Sequence, residues 1–272
     1  MIPYFQIPAL QLGPVAIQSF GVLVAAGIYL ASRLIERQAI RRGLPLRPLV
    51  DFMPWGIAAG VIVAHLVHLF FYHPEELHGP WGTQQILKVW DGLSSTGGVL
   101  GGVLAAVAYF GWKGLRLSQF SDALALGVAP GWAVARLGCF TVHDHPGVRT
   151  DFLLAVAFPD GARHDLGLYD ALLLLAISVV LYAVARRHLL EGRLLALLAL
   201  LYGSGRFALD FLRARDLPYV DARYLGLTPA QYGAALLVLW GLYVLAIRSR
   251  PTFDATEQNR VGPPSFTAQQ AG

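Results

Sequence analysis

The chain has 272 residues, of which 56% are hydrophobic and only 14% are charged. Soluble domains carry about 25% charged residues, so this composition excludes an ordinary soluble domain and predicts an integral membrane protein. The formal net charge of +4 is explained by basic loops that fix orientation in the bilayer, and we expect no nucleic-acid partner. The single cysteine excludes an internal disulfide. No basic region or small-residue cleavage site marks a removable signal peptide at the N-terminus.

Seven apolar stretches are long enough to cross a bilayer, since about 18 such residues suffice. They cover about Val15–Ser32, Phe52–Phe71, Thr96–Trp112, Phe120–Phe140, Leu168–Ala185, Leu194–Leu212 and Pro229–Ile247. The mixed segment Tyr72–Ser95 is expected outside the membrane, partly at its interface. Thr141–Gly167 is the longest polar stretch, and its loose alternation predicts a short hairpin. We expect one membrane domain over residues 1–250 and a disordered cytoplasmic tail over 251–272.

Basic residues cluster after alternate spans. They follow the first span at Arg33, Arg37, Arg41, Arg42 and Arg47, and they recur after the third, fifth and seventh spans. Cytoplasmic loops carry an excess of Lys and Arg, so the N-terminus is predicted outside and the C-terminus in the cytoplasm. The predicted fold class is an all-α integral membrane protein with seven transmembrane helices and a small irregular extracytoplasmic segment.

Two arginines belong to the apolar spans, where ionisable groups are expensive and usually functional. Arg136 lies near the outer end of the fourth span and Arg206 lies within the sixth. Asp210 and Tyr202 share the helix face of Arg206, because each is four residues from it. The planar guanidinium matches phosphate oxygens, so the pair predicts a site for an anionic lipid phosphate. The alternative is an internal ion pair with Asp210, with Arg136 extending to the interface.

A short polar segment follows Arg136 along the chain. His143, Asp144 and His145 stand immediately before Pro146-Gly147. The Pro-Gly pair favours a simple polar turn, whereas the closeness to Arg136 favours a functional site. The sequence leaves both interpretations open.

Histidines and glycines elsewhere allow weaker hypotheses. His65, His68 and Tyr72 share one face of the second span, which suits either interhelical hydrogen bonds or a metal. A metal site needs three or four convergent ligands, and no metal-binding spacing is present, so no metal or other cofactor is expected. Gly97 and Gly98 permit close helix packing or close approach of a ligand. Asp170, just inside the fifth span, favours the N-terminal helix dipole.

Taken in order, five segments resemble the prolipoprotein diacylglyceryl transferase family, over about Leu12 to Ile247. They are the first span, Trp90–Gly98, Ala135–Gly147, Arg163–Asp170 and Tyr202–Arg213. The third is similar to the family signature Gly-Arg-x-Gly-Asn-Phe, followed by Asn-x-Glu and Gly. The fourth is similar to Arg-His-Pro-Ser-Gln-Leu-Tyr-Glu, and the fifth to Tyr-Gly…Arg…Glu-Phe-x-Arg.

The resemblance implies roles by position. Arg136 and Arg206 take the places of the family's two essential arginines, and Asp144 and Asp210 stand where it has glutamates. Further matches are Gly147, Tyr169 and Tyr202. Departures from the pattern are Thr96 for a histidine proposed as catalytic, Cys139 for the signature asparagine, Phe20 for a tyrosine and His65 for an arginine.

The family transfers a diacylglyceryl group from phosphatidylglycerol to a cysteine thiol of a lipoprotein precursor, in the bacterial cytoplasmic (inner) membrane. The resemblance therefore implies three partners: phosphatidylglycerol, a prolipoprotein signal peptide with its lipobox cysteine, and the lipid bilayer. Expected lipid-binding residues are Arg136, Arg206, Tyr202, Tyr169, Gly97 and Gly98.

The acceptor thiol has an ordinary pKa of about 8.5 and must become a thiolate. With threonine at position 96, His143 or His145, oriented by Asp144, is the expected base, with His65 or His68 as second choice. Asp210 completes the expected catalytic set. Two alternatives stay open: a phospholipid-binding or transport paralogue without transferase activity, and a metal-dependent membrane hydrolase that uses the histidines.

Overall fold

The structure is a computed structural model, and it describes residues 1–12, 15–78, 82–89, 92–217 and 220–246. The predicted tail over 251–272, the end of the seventh span at Ile247, and Trp90 and Asp91 of the second motif lie outside the described residues.

Among the described residues, seven helices are long and apolar enough to cross a membrane, which confirms the predicted fold class. The chain runs α1 Ser19–Arg41, α2 Arg47–Val67, α3 Gly82–Gln85, α4 Ser95–Trp112, α5 Leu117–Val142, α6 Leu166–Arg186, α7 Leu194–Leu209 and α8 Pro229–Ala246. Helix α2 continues as a π-helical turn, His68–Tyr72, followed by a 3₁₀ turn, Pro74–His78. A second 3₁₀ turn, Asp210–Leu212, ends the sixth span. The short helix α3 belongs to the expected extramembrane excursion.

The first span differs from its predicted bounds at both ends. Val15–Ile17 forms a strand that pairs with Leu10–Leu12 in an antiparallel hairpin, so the helix begins at Ser19. The helix then runs to Arg41, and Arg33 and Arg37 are therefore helical and not in a loop. Arginine is a good helix former, and its long side chain can leave the apolar surface while the backbone continues as a helix.

Helix α5 is the most buried of the seven spans and packs against α1 and α6. Its approach to α1 depends on glycine: a Cβ on Gly131 would lie 2.5 Å from the carbonyl oxygen of Gly27, and a Cβ on Gly27 would lie 2.4 Å from that of Gly131. Small residues allow membrane helices to pack this closely. Helix α5 thereby brings its C-terminal end, with Arg136 and Cys139, into the middle of the bundle.

A small sheet covers the end of the bundle where α5 ends and α6 begins. Its strands are β1 Ile2–Pro3, β4 Pro146–Arg149, β5 Val156–Phe158 and β6 Gly161–Asp165, with the hairpin β2 Leu10–Leu12 and β3 Val15–Ile17 separate from them. The order is β1-β5-β6-β4, and only the β1–β5 pair is parallel. The β5–β6 pair confirms the predicted hairpin within Thr141–Gly167. Gly147 of β4 also bridges Arg213, which ties the sheet to the segment after α7.

Candidate active site

Helices α5, α6 and α7 bring two arginines to one carboxylate. Arg206 Nη1 lies 2.8 Å from Asp170 Oδ2 and Arg136 Nη2 lies 3.3 Å from the same oxygen. Arg136 is 2% exposed, Arg206 5% and Asp170 0%. Buried charges are tolerated only when they are paired and hydrogen-bonded, so Asp170 is the group that allows two guanidinium cations to sit together.

Two atoms of this cluster are buried without a hydrogen bond in the described part of the chain: Arg136 Nε and Asp170 Oδ1. Such unsatisfied atoms are rare in native interiors, and each calls for an explanation such as a bound ligand or ion. Arg136 also contacts Ser95 Oγ through its Nη2 at 2.9 Å and Cys139 Sγ through its Nη1 at 3.7 Å. The arginine pair is therefore fixed in place while it retains hydrogen-bonding capacity for a further group.

Asp210 organises the other side of Arg206. Its Oδ1 lies 3.0 Å from Arg206 Nη2 and 3.2 Å from Arg213 Nε, and its Oδ2 accepts a hydrogen bond from Thr228 Oγ1. The residue is 0% exposed. These contacts favour a role in positioning the two arginines over direct contact with a substrate. Thr228 begins the turn into α8, so α8 also supports the site.

A polar cavity of about 340 Å³ adjoins this cluster. Its charged lining comprises Arg206, Arg213, Arg223, Asp144 and Asp221, and His68, His73 and His145 also face it. Ser95, the partner of Arg136, lines the cavity as well. Because its arginines outnumber its aspartates, the cavity suits an anionic group.

Asp144 and His145 face this cavity as an adjacent pair, with Asp144 Oδ1 3.2 Å from His145 Nδ1. Burial raises the pKa of Asp144 to about 6, although Arg136 opposes the shift. Burial lowers the pKa of His145 well below its ordinary value, and the cations of Arg213 and Arg136 lower it further. The imidazole is therefore held in its neutral form at neutral pH.

His143 does not join this pair. It ends α5 in the left-handed region, with φ of +50°, and its Nδ1 lies 2.7 Å from Asp165 Oδ2. The expected orientation by Asp144 is wrong for His143, because the turn at the helix end directs its ring into the sheet. There it packs against four aromatic rings: Tyr4, Phe5, Phe140 and Phe158. Burial raises the pKa of Asp165, while the His143 hydrogen bond opposes that rise.

The two tyrosines that were predicted to bind lipid, Tyr202 and Tyr169, lie in different surroundings. Tyr202 is buried, and its ring centroid lies 4.3 Å from that of Trp132, next to the arginine pair. The Tyr169 hydroxyl instead lies 2.8 Å from His164 Nδ1. Tyr169 lines a second, apolar groove of about 380 Å³ with Phe152, Leu154, His164, Leu172, Leu209 and Leu212.

The two predicted glycines differ in how closely their surroundings approach them. A Cβ on Gly97 would lie 2.6 Å from the carbonyl oxygen of Val63, so Gly97 allows α4 to contact α2. Gly98 has more room, with its nearest neighbour 3.9 Å from a built Cβ. The residues of this segment that face the cavity are Gly92, Leu93, Ser94 and Ser95.

The remaining sequence candidates have structural partners. Thr96 Oγ1 lies 3.1 Å from the Tyr72 hydroxyl. His65 is held between two backbone carbonyl oxygens, those of Gln85 at 2.8 Å and Gly92 at 3.2 Å, which agrees with the hydrogen-bonding alternative. His68 lines the cavity.

Sequence reasoning missed Asp170, Arg213 and Ser95. Asp170 was assigned to the helix dipole, yet an aspartate followed by an apolar run is itself a signal of function in membrane proteins. Arg213 stands three residues after Asp210, and this spacing is the local signal for the contact between the two side chains. For a metal, the described residues offer one cluster: Cys139, Asp144 and His145 have ligand atoms within 4.8 Å of one another.

Seven helices able to span a membrane, packed around buried arginines and a cavity rich in arginine, define a multi-pass membrane protein. The comparison with known families is consistent with this class. The profile of the family "Prolipoprotein diacylglyceryl transferase" matches residues 8–247, and the chain belongs to that family.

Curated relatives match along nearly their whole length. A Staphylococcus saprophyticus protein is 26% identical over 99% of this chain and 98% of its own. A Paenarthrobacter aurescens protein is 28% identical over 100% of this chain and 91% of its own length. A Bacillus licheniformis protein is 27% identical over 88% of this chain and 91% of its own length. Each of these relatives is named a phosphatidylglycerol–prolipoprotein diacylglyceryl transferase.

Proposed function

We propose that this protein transfers a diacylglyceryl group from phosphatidylglycerol to the lipobox cysteine of a prolipoprotein, forming a thioether, in the bacterial cytoplasmic membrane. The observation that carries the proposal is the buried Arg136–Asp170–Arg206 cluster beside a cationic cavity. Family membership and the names of the relatives support the same substrates.

The arginines stabilise the leaving group. When the bond between the glyceryl carbon and the phosphate oxygen breaks, negative charge grows on the phosphate that departs with glycerol. Arg206 and Arg213 face the cavity, and Arg136 is held at its edge by Ser95. Cations that are already oriented in a water-poor site stabilise such charge more than water does.

The acceptor thiol needs activation, because the thiolate is the nucleophile. Asp144 and His145 are the adjacent acid–base pair on the cavity wall. In the simplest form of the mechanism, His145 accepts the thiol proton and Asp144 orients the ring. His143 is paired with Asp165 and acts in the fold. Asp210 positions Arg206 and Arg213, Tyr202 supports the arginine pair, and the contacts of Tyr169 and Gly97 favour packing roles.

The test is diacylglyceryl transfer from phosphatidylglycerol to a lipobox peptide by the purified, reconstituted protein. Removing one preorganised donor from a developing anion costs about 10²–10³-fold in rate, so we expect losses of that size for Arg136→Ala and for Arg206→Ala. Arg33→Ala is the matched control, because Arg33 is exposed and pairs with Glu36 on the same helix. Unchanged transfer rates in both site variants would refute the proposal.

A second candidate is a phospholipid-binding paralogue without turnover. It is favoured by Thr96, which stands at the family's histidine position and is paired with Tyr72. This candidate predicts saturable binding of phosphatidylglycerol, lost in Arg206→Ala, with no lipidated peptide formed at any pH. Formation of the lipidated peptide by the wild-type protein would exclude it.

A further inference from the structure

A tight turn before α8 exposes a leucine at its tip. Tyr224 and Leu227 exchange both backbone hydrogen bonds, at 2.8 and 3.0 Å. The two residues between them, Leu225 and Gly226, have φ of +50° and +82°. Two-residue hairpin turns with positive φ at both positions favour asparagine followed by glycine, and a leucine in the first position is strained. Leu225 is nevertheless 99% exposed, so neither turn chemistry nor packing within the described protein explains an apolar side chain here.

The turn is fastened to the outer ends of two membrane-spanning helices. The Tyr224 hydroxyl donates a hydrogen bond to the carbonyl oxygen of Phe71 at 3.2 Å, in the last turn of the span Arg47–Tyr72. The Tyr232 hydroxyl, in the first turn of α8, donates to the carbonyl oxygen of Tyr224 at 2.6 Å. All three aromatic side chains are exposed. Tyrosine is enriched at the boundary between membrane and water, so these contacts place the turn at that level.

The same segment forms one wall of the polar cavity. Asp221 and Arg223, just before the turn, line the cavity. Thr228, just after the turn, donates a hydrogen bond to the buried carboxylate of Asp210. Residues 221–228 are therefore charged and polar where they face the cavity and apolar at their exposed tip. Membrane-surface segments divide in this way, with apolar side chains towards the acyl chains and polar groups away from them.

We propose that Leu225 inserts into the outer leaflet of the bilayer and anchors this wall of the cavity to it. An apolar side chain that enters the acyl region leaves water, and the gain from burying a leucine is large enough to offset a strained turn. The inference goes beyond the proposed function, because it concerns the membrane surface and not the reacting groups; only its effect on turnover rests on that function. The anchored wall holds the cavity beside the leaflet that supplies an amphipathic lipid.

Site-directed spin labelling measures the depth of the turn. Leu225→Cys is labelled in the full chain and reconstituted in nanodiscs. The collisions of the label with oxygen, which concentrates in the bilayer, are compared with its collisions with a water-soluble nickel chelate. Val179→Cys, on the exposed face of α6, is the bilayer reference, and Glu191→Cys, at an exposed ion pair between α6 and α7, is the aqueous reference. The wild-type protein, whose single cysteine is buried, reports background labelling.

We expect the oxygen-to-nickel collision ratio at position 225 to shift away from the Glu191 reference and towards the Val179 reference. A ratio equal to that of the Glu191 reference would overturn the proposal. The same measurement tests a peptide-binding surface. If the label is in water at first and becomes shielded only when a lipobox peptide is added, the turn binds the peptide and the membrane proposal fails.

Two substitutions separate the backbone turn from its apolar tip. Leu225→Asn suits the left-handed backbone and removes the apolar side chain, whereas Leu225→Met keeps the tip apolar. Both should yield folded, monodisperse protein. In bilayers, Leu225→Asn should raise the apparent KM for phosphatidylglycerol by about 10-fold, the scale of one buried leucine, because apparent affinity falls with the competent fraction. Leu225→Met should stay close to the wild type. A wild-type KM in Leu225→Asn would overturn the anchoring role.

The anchor and the transferase function fail in different ways. The depth of the label is measured without any transfer reaction. A protein that inserts Leu225 and transfers no lipid therefore supports the anchor and refutes the transferase function. A turn that stays in water, in a protein that transfers lipid, refutes the anchor alone.

Discussion

Asp170→Asn is the sharpest probe of the site, because one carboxylate compensates two buried arginines. The substitution keeps the size of the side chain and removes its charge, leaving Arg136 and Arg206 without their shared partner. Removing one member of a buried ion pair costs about 3–5 kcal/mol, and the distances of 2.8 and 3.3 Å to an oxygen of a fully buried residue place Asp170 in that class. We expect a loss of that size in unfolding free energy, measured without lipid.

Phosphatidylglycerol should reverse part of this loss. Its phosphate is an alternative counterion for the two guanidinium groups that have lost their carboxylate partner, and a ligand that binds only the folded state stabilises that state by mass action. Thermal unfolding in detergent, with either phosphatidylglycerol or a zwitterionic lipid added, measures the difference. The variant should gain more from phosphatidylglycerol than the wild type does.

The control is Asp51→Asn. Asp51 is half exposed and lies 3.7 Å from Arg47, and such surface pairs contribute about 0–1 kcal/mol. The reasoning is refuted if Asp170→Asn is as stable as Asp51→Asn. It is also refuted if both lipids stabilise the Asp170 variant equally.

Three further predictions concern the surroundings of the site. The buried Arg163 holds the pKa of Asp216 down at about 2, so this carboxylate's stabilising contribution is present above its unfolded pKa of about 3.9 and is lost as pH falls towards 2. Asp216→Asn should therefore flatten the acid side of a melting-temperature profile, and an unaltered profile would contradict the pairing. His145→Ala should lower the turnover number by about 10²–10⁴-fold, whereas His143→Ala should mainly lower the melting temperature; equal rate losses per folded molecule would contradict the separation of the two rings. Gly131→Leu should prevent folding of the bundle, because even a Cβ there lies 2.5 Å from a backbone oxygen of α1; normal yield of monodisperse protein would contradict that packing.

The seven spans could be predicted because membrane insertion depends on local hydropathy. The bounds of α1 could not, since Val15–Ile17 is as apolar as the helix that follows it, and only its pairing with Leu10–Leu12 makes it a strand. The hairpin of β5 and β6 was accessible from local alternation. Its attachment to the N-terminal strand β1 was not, because that contact joins residues more than a hundred positions apart.

The candidate site was also predictable in part. The places of Arg136 and Arg206 in their spans indicate a similar depth in the bilayer, whereas their contact through Asp170 depends on the packing of α5 and α7 against α6. The role of Asp170 could not be predicted, because the convergence of α5, α6 and α7 on one carboxylate is a property of helix packing. His143 and His145 are two residues apart, and the backbone turn at φ of +50° sends them to different environments. Spacing along the chain carries no sign of that turn.

The shared carboxylate also makes the two arginines a single energetic unit. Groups that interact through a common partner show coupling energies of about 0.5–3 kcal/mol in double-mutant cycles. When Arg136 is removed, Asp170 still pairs with Arg206, and its charge stays compensated. When Arg206 is removed as well, the buried carboxylate of Asp170 loses its remaining arginine partner. The energetic effect of a change at any one member of the triad Arg136, Asp170 and Arg206 therefore depends on which side chains stand at the other two positions.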